Sequence, residues 1–420
     1  MAELEPRIVV LTTLFPHAGQ PTTGLFIRER MFRVARLLPL TVVAPVPWFP
    51  FQALLRRWKP HFRPPAPAVD MQEGIEVQRP RFLSVPGAFK WLDGWFMAVS
   101  CLPTLLRLKR GFGCNVVDAH FAYPEGHAAT LLGRWLHMPV SITMRGTEVP
   151  IARDARRRRR MIKALQRATR IFAVSDSLKR HAVILGVPGD KILVVGNGVD
   201  TAKFHRLDRR AARQRLGLPL DAPVLVSVGA LVERKGFHRV LECLPALRRR
   251  FPGLRYLVVG GAGPEGDWSA RLRKSVSDLG LEDCVVFLGA LAPEELNVPL
   301  SAADLFVLAT RNEGWANVFL EAMACGLPVV TTDVGGNAEV VANANLGVLV
   351  PFGEPDRLAQ AIADALVRDW DRDAIVAYAE SNSWERCVRT LAGEFAAIAV
   401  RHAATDAHRR GSPGKPLLRS

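Results

Sequence analysis

The sequence predicts an α/β chain of two doubly wound, Rossmann-like domains with an interdomain cleft. Three observations predict it. Short β-branched runs alternate with amphipathic stretches along most of the 420 residues. The strand candidates are apolar throughout, as strands of a parallel sheet covered on both faces must be. The alternation also halts in a polar, proline-closed stretch and then restarts, which is how a second doubly wound domain announces itself.

The first series places strands at 7–13 (RIVVLTT), 40–46, 115–120 (NVVDAH), 140–144, 170–175 and 191–197. Helix-like segments lie between them at 24–37, 126–136, 156–168 and 176–185, with apolar residues on one face. Around 201–222 the chain becomes charged and ends in prolines, which reads as a linker. The second series has strands at 224–230 (VLVSVGA), 255–261 (RYLVVGG), 284–289, 305–310 (LFVLAT), 328–333 and 346–351. The expected domains are therefore 1–200 and 223–373. Residues 374–402 read as a C-terminal helix packing back toward the first domain, and 403–420 as a mobile tail. No short-period repeat appears, so a solenoid is excluded.

Composition narrows the class. Apolar residues make up 49% and charged residues 23%, a globular balance and not a disordered one. The six cysteines form no CxxC pair and mostly have apolar neighbours, which suits packing in a reducing compartment. The start is acidic and then apolar for about eight residues, the reverse of a secretory signal. The longest membrane-span candidate, WLDGWFMAVSCLPTLL (91–106), carries Asp93 and Pro103 and falls short of the ~20 apolar residues required. The chain is expected to be cytoplasmic.

Three stretches carry chemistry. In VSVGALVERKGFHRVLECLPAL (226–247), a strand ends at Val228, Gly229 follows and a helix begins near Gly236. Arg234 and Lys235 then precede a helix N-terminus on the carboxyl edge of a parallel sheet, where phosphorylated ligands bind; a solvated turn with two basic residues is the plainer alternative. VVGGAGPEGD (258–267) runs a strand into a glycine-rich turn at Gly261, without a full dinucleotide fingerprint. LATRNEGWANVFLEAMACGLPVV (308–330) is the most specific. Glu313 lies in the loop before a helix expected from Trp315 to Cys325, and Glu321 lies inside that helix. The first-turn amides of 315–318 are free donors suited to an anion, and two carboxylates accept hydroxyl hydrogens. Phosphate plus polyol points to a nucleotide sugar. Capping or solvated glutamates would account for Glu313 but poorly for Glu321 among Phe319, Leu320, Ala322 and Met323.

The E-x7-E spacing, the AMACGLPVV after it, Gly335-Gly336-x-x-Glu339, Lys235-Gly236 and VVGNGVD (194–200) together resemble the retaining GT-B glycosyltransferases of family 4. The opening TTLFPHAGQPTTGLFIRERM (12–31) resembles the branch with teichuronic-acid and exopolysaccharide enzymes. The resemblance covers nearly the whole chain and is most specific over 224–341. It implies an acceptor-binding first domain and a donor-binding second one. It implies that Lys235, with Arg234, holds the donor diphosphate, that Glu313 meets the transferred sugar and that Glu321 meets the ribose. It further implies sugar or phosphate contacts from the amides of Gly314, Trp315, Ala316, Asn317 and Val318, with Gly24 in a loop facing the cleft. Two positions depart from the family pattern: Ala230 stands where Arg is frequent, and Arg145 before Gly146 stands where His is frequent. Arg234 and Arg145 are the candidates to take those roles. His120, at a strand end, either touches the reacting sugar or is structural.

No cofactor is expected; the nucleotide sugar, UDP- or GDP-linked, is the substrate. No metal is expected either, since the donor half has no Asp-x-Asp and no His/Cys ligand cluster. A same-fold epimerase or phosphorylase, or a lipid- or nucleic-acid-binding module with a dead site, are the alternatives. Retention implies a front-face route or a covalent intermediate.

Charge is unevenly placed. Of the net +16, residues 1–200 hold 29 Lys and Arg against 14 Asp and Glu, and the remainder is nearly neutral. Five consecutive arginines, 156–160, sit in a helix candidate, and Trp and Phe mix with basic residues at 46–62 and 89–102. This pattern suits an anionic membrane surface, a peripheral position at its inner face, and a glycan or polyprenyl-linked acceptor. A solvated helix face is the alternative. Nucleic acid is not an expected partner, because no recognition motif accompanies the run. Oligomeric state is not legible.

Overall fold

The computed structural model describes residues 5–21, 23–58, 62–263 and 265–411. The chain divides into two units, residues 1–196 with 387–420, and residues 197–386.

In the first unit the strands are β1 (Ile8–Leu11), β2 (Leu40–Val43), β3 (Val46–Trp48), β4 (Val69–Gln72) and β5 (Ile75–Gln78). They continue with β6 (Arg81–Leu83), β7 (Val116–His120), β8 (Val140–Met144), β9 (Arg170–Ala173) and β10 (Ile192–Val194). Eight of them form a sheet ordered β10-β9-β8-β7-β1-β2-β5-β4, and β3 pairs separately with β6. Every pairing in the large sheet is parallel except β4 with β5, a hairpin turned by Glu73 and Gly74 at φ 49° and 80°. Two positive φ values in a two-residue loop match the twist of the flanking strands. β1, β2, β7 and β8 are buried along their whole length, the outcome expected of strands covered on both faces.

The second unit has β11 (Val224–Val228), β12 (Arg255–Val259), β13 (Val285–Gly289), β14 (Leu305–Leu308), β15 (Val329–Thr332) and β16 (Gly347–Val350). Their order, β13-β12-β11-β14-β15-β16, is all parallel and doubly wound, with the reversal of strand order between β11 and β14. Ligands of open parallel sheets bind beyond the carboxyl ends of the strands at such a reversal. In the first sheet the corresponding reversal lies between β1 and β7.

Three expected boundaries are corrected. Residues 201–222 are not a bare linker but part of the second unit. They include the helix Arg209–Arg215, whose Ala212, with Leu218 beyond it, joins the hydrophobic core. Arg213 draws the segment in: its guanidinium is fully buried, 2.7 Å from Asp304 Oδ2, and its Nε donates to the Ala302 carbonyl at 2.9 Å. A buried cation with both carboxylate and carbonyl acceptors is satisfied there. The expected helix 374–402 is two helices, Arg372–Ser381 and Trp384–Gly411. The break falls where Asn382 Nδ2 turns back to the Tyr378 carbonyl at 2.9 Å and Ser383 forms a β-bridge with Val199. From Cys387 the last helix belongs to the first unit, with Phe395 edge-on to Phe172 at 5.7 Å and Glu394 2.8 Å from Arg170. The helix continues to Gly411, past the expected start of the tail, and residues 412–420 lie outside the described residues.

The 91–106 stretch forms part of the helix Asp93–Gly111, which contains Pro103. Among the described residues no helix is long and apolar enough to cross a membrane.

Candidate active site

In the second unit two loops meet at the strand-order reversal. β11 ends at Val228, and Gly229 and Ala230 lead into a 3-10 turn, Glu233–Lys235, before the helix Phe237–Arg250. β14 ends at Leu308, and the loop 309–316 leads into the helix Asn317–Ala324. The backbone ties the loops together: Arg311 N and Thr310 Oγ1 both donate to the Arg234 carbonyl, at 2.8 and 3.1 Å. Arg234 and Lys235 are thus brought beside Glu313.

The side chains complete the arrangement. Lys235 Nζ lies 2.6 Å from Glu313 Oε1, and Arg234 Nη1 and Thr310 Oγ1 each lie 3.2 Å from the same oxygen. Arg234 also grips Glu265, with Nη2 2.7 Å from Oε1. Burial raises the Glu313 pKa, but the charges of Lys235 and then Arg234 outweigh it, so the carboxyl is held below its usual range. Glu313 is therefore an ionised acceptor, with two cations shared around one of its oxygens.

A second loop fixes Glu313 from behind. Gly336 N donates to the Glu313 carbonyl at 3.1 Å, and Gly335 packs so closely that a Cβ there would stand 1.9 Å from the same oxygen. With φ at 55°, Gly335 has a conformation and a clearance that only glycine supplies. This accounts for the first glycine of the Gly335-Gly336-x-x-Glu339 pattern.

The helix that follows starts at Asn317, two residues later than expected, because Ala316 is still extended at φ −88°, ψ 92°. No side chain caps it, so the first-turn amides keep their donor capacity. Gly314 and Ala316 are buried, and Trp315, Asn317 and Val318 are half-buried. Trp315 Nε1 is buried with no hydrogen-bond partner among the described residues. Asn317 Oδ1 accepts from Asn197 Nδ2 at 2.9 Å. Glu321, half-buried, sits about one turn into the helix. Burial and then the Glu321 carboxylate push the Cys325 thiol up to about 12. Gly229 lies along the Lys235 stem, 3.7 Å from where a Cβ would be, and the Gly261 carbonyl accepts from Leu231 N at 2.8 Å. The structure therefore gathers Gly229, Arg234, Lys235, Glu313 and the 314–318 segment. Glu265 and Thr310, partners of that cluster, were not singled out from the sequence, where nothing marks an exposed Glu after a glycine turn or a strand-end Thr.

Gly24, His120 and Arg145 belong to the first unit. Gly24, at φ 73°, precedes the helix Leu25–Ala35, and a Cβ there would stand 2.2 Å from the Leu14 carbonyl oxygen. The chain can close this loop over the end of β1 only with glycine. His120, the last residue of β7, is fully buried, with Nε2 3.1 Å from Asp118 Oδ2 and Nδ1 accepting from Arg145 Nε at 3.0 Å. Burial first, then Arg145, lowers its pKa to about 4. In this structure the ring is buried, with Nδ1 taken by Arg145 and Nε2 facing the Asp118 carboxylate. The Arg145 guanidinium also stacks over Phe26, 5.0 Å from the ring centre.

Two buried acids that sequence reasoning missed hold these loops. Glu148 accepts from Ala122 N at 3.1 Å, Arg145 N at 3.2 Å and Gly146 N at 2.8 Å. Glu125 accepts from Thr13 N at 3.2 Å and from the Thr13 hydroxyl, joining the ends of β1 and β7. Their only signal is an acid in apolar company, FAYPEGHAA and GTEVPI. Among the described residues no group of three or more His, Cys, Asp or Glu converges to hold a metal ion.

Comparison with known proteins agrees with this architecture. Residues 208–382 match the family model of glycosyl transferases group 1, and 52–203 match that of glycosyltransferase family 4. The chain is 28% identical over 367 residues to the putative teichuronic acid biosynthesis glycosyltransferase TuaC of Bacillus subtilis, covering 86% of this chain and 88% of that one. It is 31% identical over 303 residues to the D-inositol 3-phosphate glycosyltransferase of Corynebacterium urealyticum, 67% of this chain and 71% of that one. Among solved structures, Anabaena Alr3699/HepE in complex with UDP superposes with a TM-score of 0.71 at 21% identity, over 93% of this chain and 100% of that one. The two doubly wound units are those of the GT-B fold, and the chain is a glycosyltransferase of the group 1, family 4 glycosyl transferases.

Proposed function

We propose that this chain is a retaining glycosyltransferase that moves a sugar from a nucleotide-sugar donor to a lipid-linked glycan acceptor in cell-surface polysaccharide synthesis. The observation that carries the reading is the Glu313 carboxylate, held ionised by Lys235 and Arg234 ahead of an uncapped helix at the strand-order reversal. The Anabaena structure, solved with UDP, supports a nucleoside diphosphate as the leaving group.

In this reading the donor diphosphate is held by Lys235, Arg234 and the amides of the 314–318 segment. Glu313 accepts hydrogen bonds from the sugar hydroxyls and Glu321 from the ribose. As the bond from the anomeric carbon to the phosphate oxygen breaks, negative charge grows on the diphosphate. A unit charge ~4 Å away in an effective dielectric of ~20 contributes about 4 kcal/mol, against roughly 0.3–2 kcal/mol from a helix end. Lys235 therefore stabilises departure more than the helix does. The acceptor hydroxyl attacks the same face of the sugar, and its proton passes to the departing phosphate oxygen. These two cations take the neutralising role, with no metal ion required.

The membrane side of the reading rests on the first unit. Phe51, just before the helix Gln52–Trp58, and Trp58, its last residue, are 82% and 74% exposed, and the helix carries Arg56 and Arg57 in its last turn. Phe89 and Trp95 are also exposed. Arg160 and Arg156 lie 4.4 and 5.7 Å from the ring centre of Trp91. Aromatic rings among arginines suit an anionic headgroup layer, where each basic residue contributes about 1 kcal/mol. This supports a peripheral enzyme working at the cytoplasmic face on a polyprenyl-linked or similar acceptor.

The experiment is a thermal-shift panel of UDP-, GDP-, ADP- and dTDP-sugars, followed by transfer from the stabilising donor to a membrane lipid extract. Retained anomeric configuration in the product, read by NMR, is expected. Interconversion of the donor without transfer would instead indicate an epimerase. Sedimentation with anionic vesicles, lost when arginines 156–160 become Gln, tests the membrane half; salt-independent lack of sedimentation would remove it.

A further inference from the structure

The first unit has a cavity of about 870 Å³ at the amino edge of its sheet, where β8, β9 and β10 begin. Met138, Pro139 and Val140 contribute its apolar lining, and its charged lining is Arg134, Arg167, Arg170, Lys191 and Arg401 against Asp190 alone. One side is closed by the last helix, where His402 Nε2 lies 3.2 Å from the His137 carbonyl. Arg145 lies past the other end of β8, whose five residues span about 16 Å. The cavity is therefore separate from the loops at the carboxyl edge.

Two of the five cations have protein partners. Arg170 is bound to Glu394 and to the Asp190 carbonyl, and Lys191 donates to the carbonyls of Gln166 and Ala168 at 2.8 and 3.3 Å. The guanidinium groups of Arg134, Arg167 and Arg401 make no hydrogen bond or ion pair among the described residues. They come from three helices, His127–Leu136, Ala155–Arg167 and Trp384–Gly411. Gathering unpaired cations around one cavity costs repulsion that a bound anion relieves. Arginine forks match phosphate oxygens in pairs, and a volume of about 870 Å³ lies in the range of small-molecule sites.

We propose that this cavity binds a small ligand carrying two or more phosphoryl groups, clamped by Arg134, Arg167 and Arg401. Occupancy ties the last helix to the body of the first unit. The site does not depend on the donor reading, and the test keeps the two apart.

Sodium tripolyphosphate is the probe, titrated calorimetrically into the full chain carrying Lys235→Ala, which weakens the proposed diphosphate site. One binding event with a rise in melting temperature is expected. Adding Arg134→Gln, Arg167→Gln and Arg401→Gln weakens it at least tenfold, while the same three substitutions in the wild-type chain leave sugar transfer unchanged. Arg401→Glu alone, a single exposed change, gives the same loss should the triple variant fold poorly. Equal affinity with and without the three arginines, or no binding at millimolar probe, overturns the proposal. Vesicles of phosphatidylglycerol separate the sources of phosphate: equal sedimentation of wild-type and triple-variant chains is expected. Sedimentation lost with the arginines, without tripolyphosphate binding, would assign the surface to a membrane and overturn the small-ligand site.

Discussion

Replacing Glu125 with Gln should make the protein more stable at pH 8 and leave it nearly unchanged at pH 4. Glu125 is buried at the ends of β1 and β7, and its Oε2 has no hydrogen-bond partner among the described residues. Burial raises its pKa from 4.5 to about 7, against the lowering effect of the Thr13 hydrogen bonds. A carboxyl whose folded pKa is raised contributes its full stability below the unfolded pKa, and loses it as pH climbs through the folded value. The window therefore opens near pH 4.5 and closes just above pH 7. At 1.36 kcal/mol per pH unit, the ionised form costs about 3 kcal/mol at pH 8. Glutamine keeps the oxygen that accepts from Thr13 and removes the titration. For a unit of this size that is an advantage of roughly 5–10 °C. Thermal melts of both chains at half-unit steps from pH 4 to 8.5 read the difference directly. A difference that stays constant across that range would refute the reasoning, because an uncharged or well-solvated Glu125 predicts no slope.

Further outcomes follow from the same geometry. Lys235→Ala and Glu313→Ala are each expected to lower turnover about a hundredfold or more, as removal of a preorganised charge does, with far-UV circular dichroism unchanged. Gly24→Ala should cost on the order of 1–3 kcal/mol in thermal melts, since its Cβ would meet the Leu14 carbonyl at 2.2 Å in a left-handed conformation. Transfer activity should persist after dialysis against EDTA; loss restored by Mg²⁺ or Mn²⁺ would contradict a cation role filled by Lys235 and Arg234.

Much of the fold was legible because fully buried parallel strands write themselves as unbroken apolar runs. β1, β2, β7 to β9, β11, β12, β14 and β15 all lie inside the ranges expected from such runs. β4 escaped notice because its burial is low and its residues, Val-Asp-Met-Gln, alternate as an edge strand does. The 201–222 segment was misread for a related reason: the charged run around Arg213 looks like solvent-facing linker, and only tertiary structure reveals a guanidinium satisfied inside the core. At the site, Glu313, Lys235 and Arg234 were legible through their positions beside strand ends and a helix start. That both cations converge on one oxygen of Glu313 was not, since it depends on how the loops after β11 and β14 meet. His120 was legible as a strand-end residue, but its Arg145 neighbour was not, since only the pairing of β7 with β8 brings the two together.

The central claim is that Lys235 and Arg234, gathered on Glu313, hold a nucleoside diphosphate. Calorimetric titration of UDP and GDP into wild-type and Lys235→Ala chains tests it most directly. The account predicts that one of the two nucleotides binds the wild-type chain and that Lys235→Ala weakens it roughly 10- to 100-fold, the ~1.4–2.8 kcal/mol expected for a lost charge-assisted contact. Undiminished affinity in the Lys235→Ala chain would contradict it.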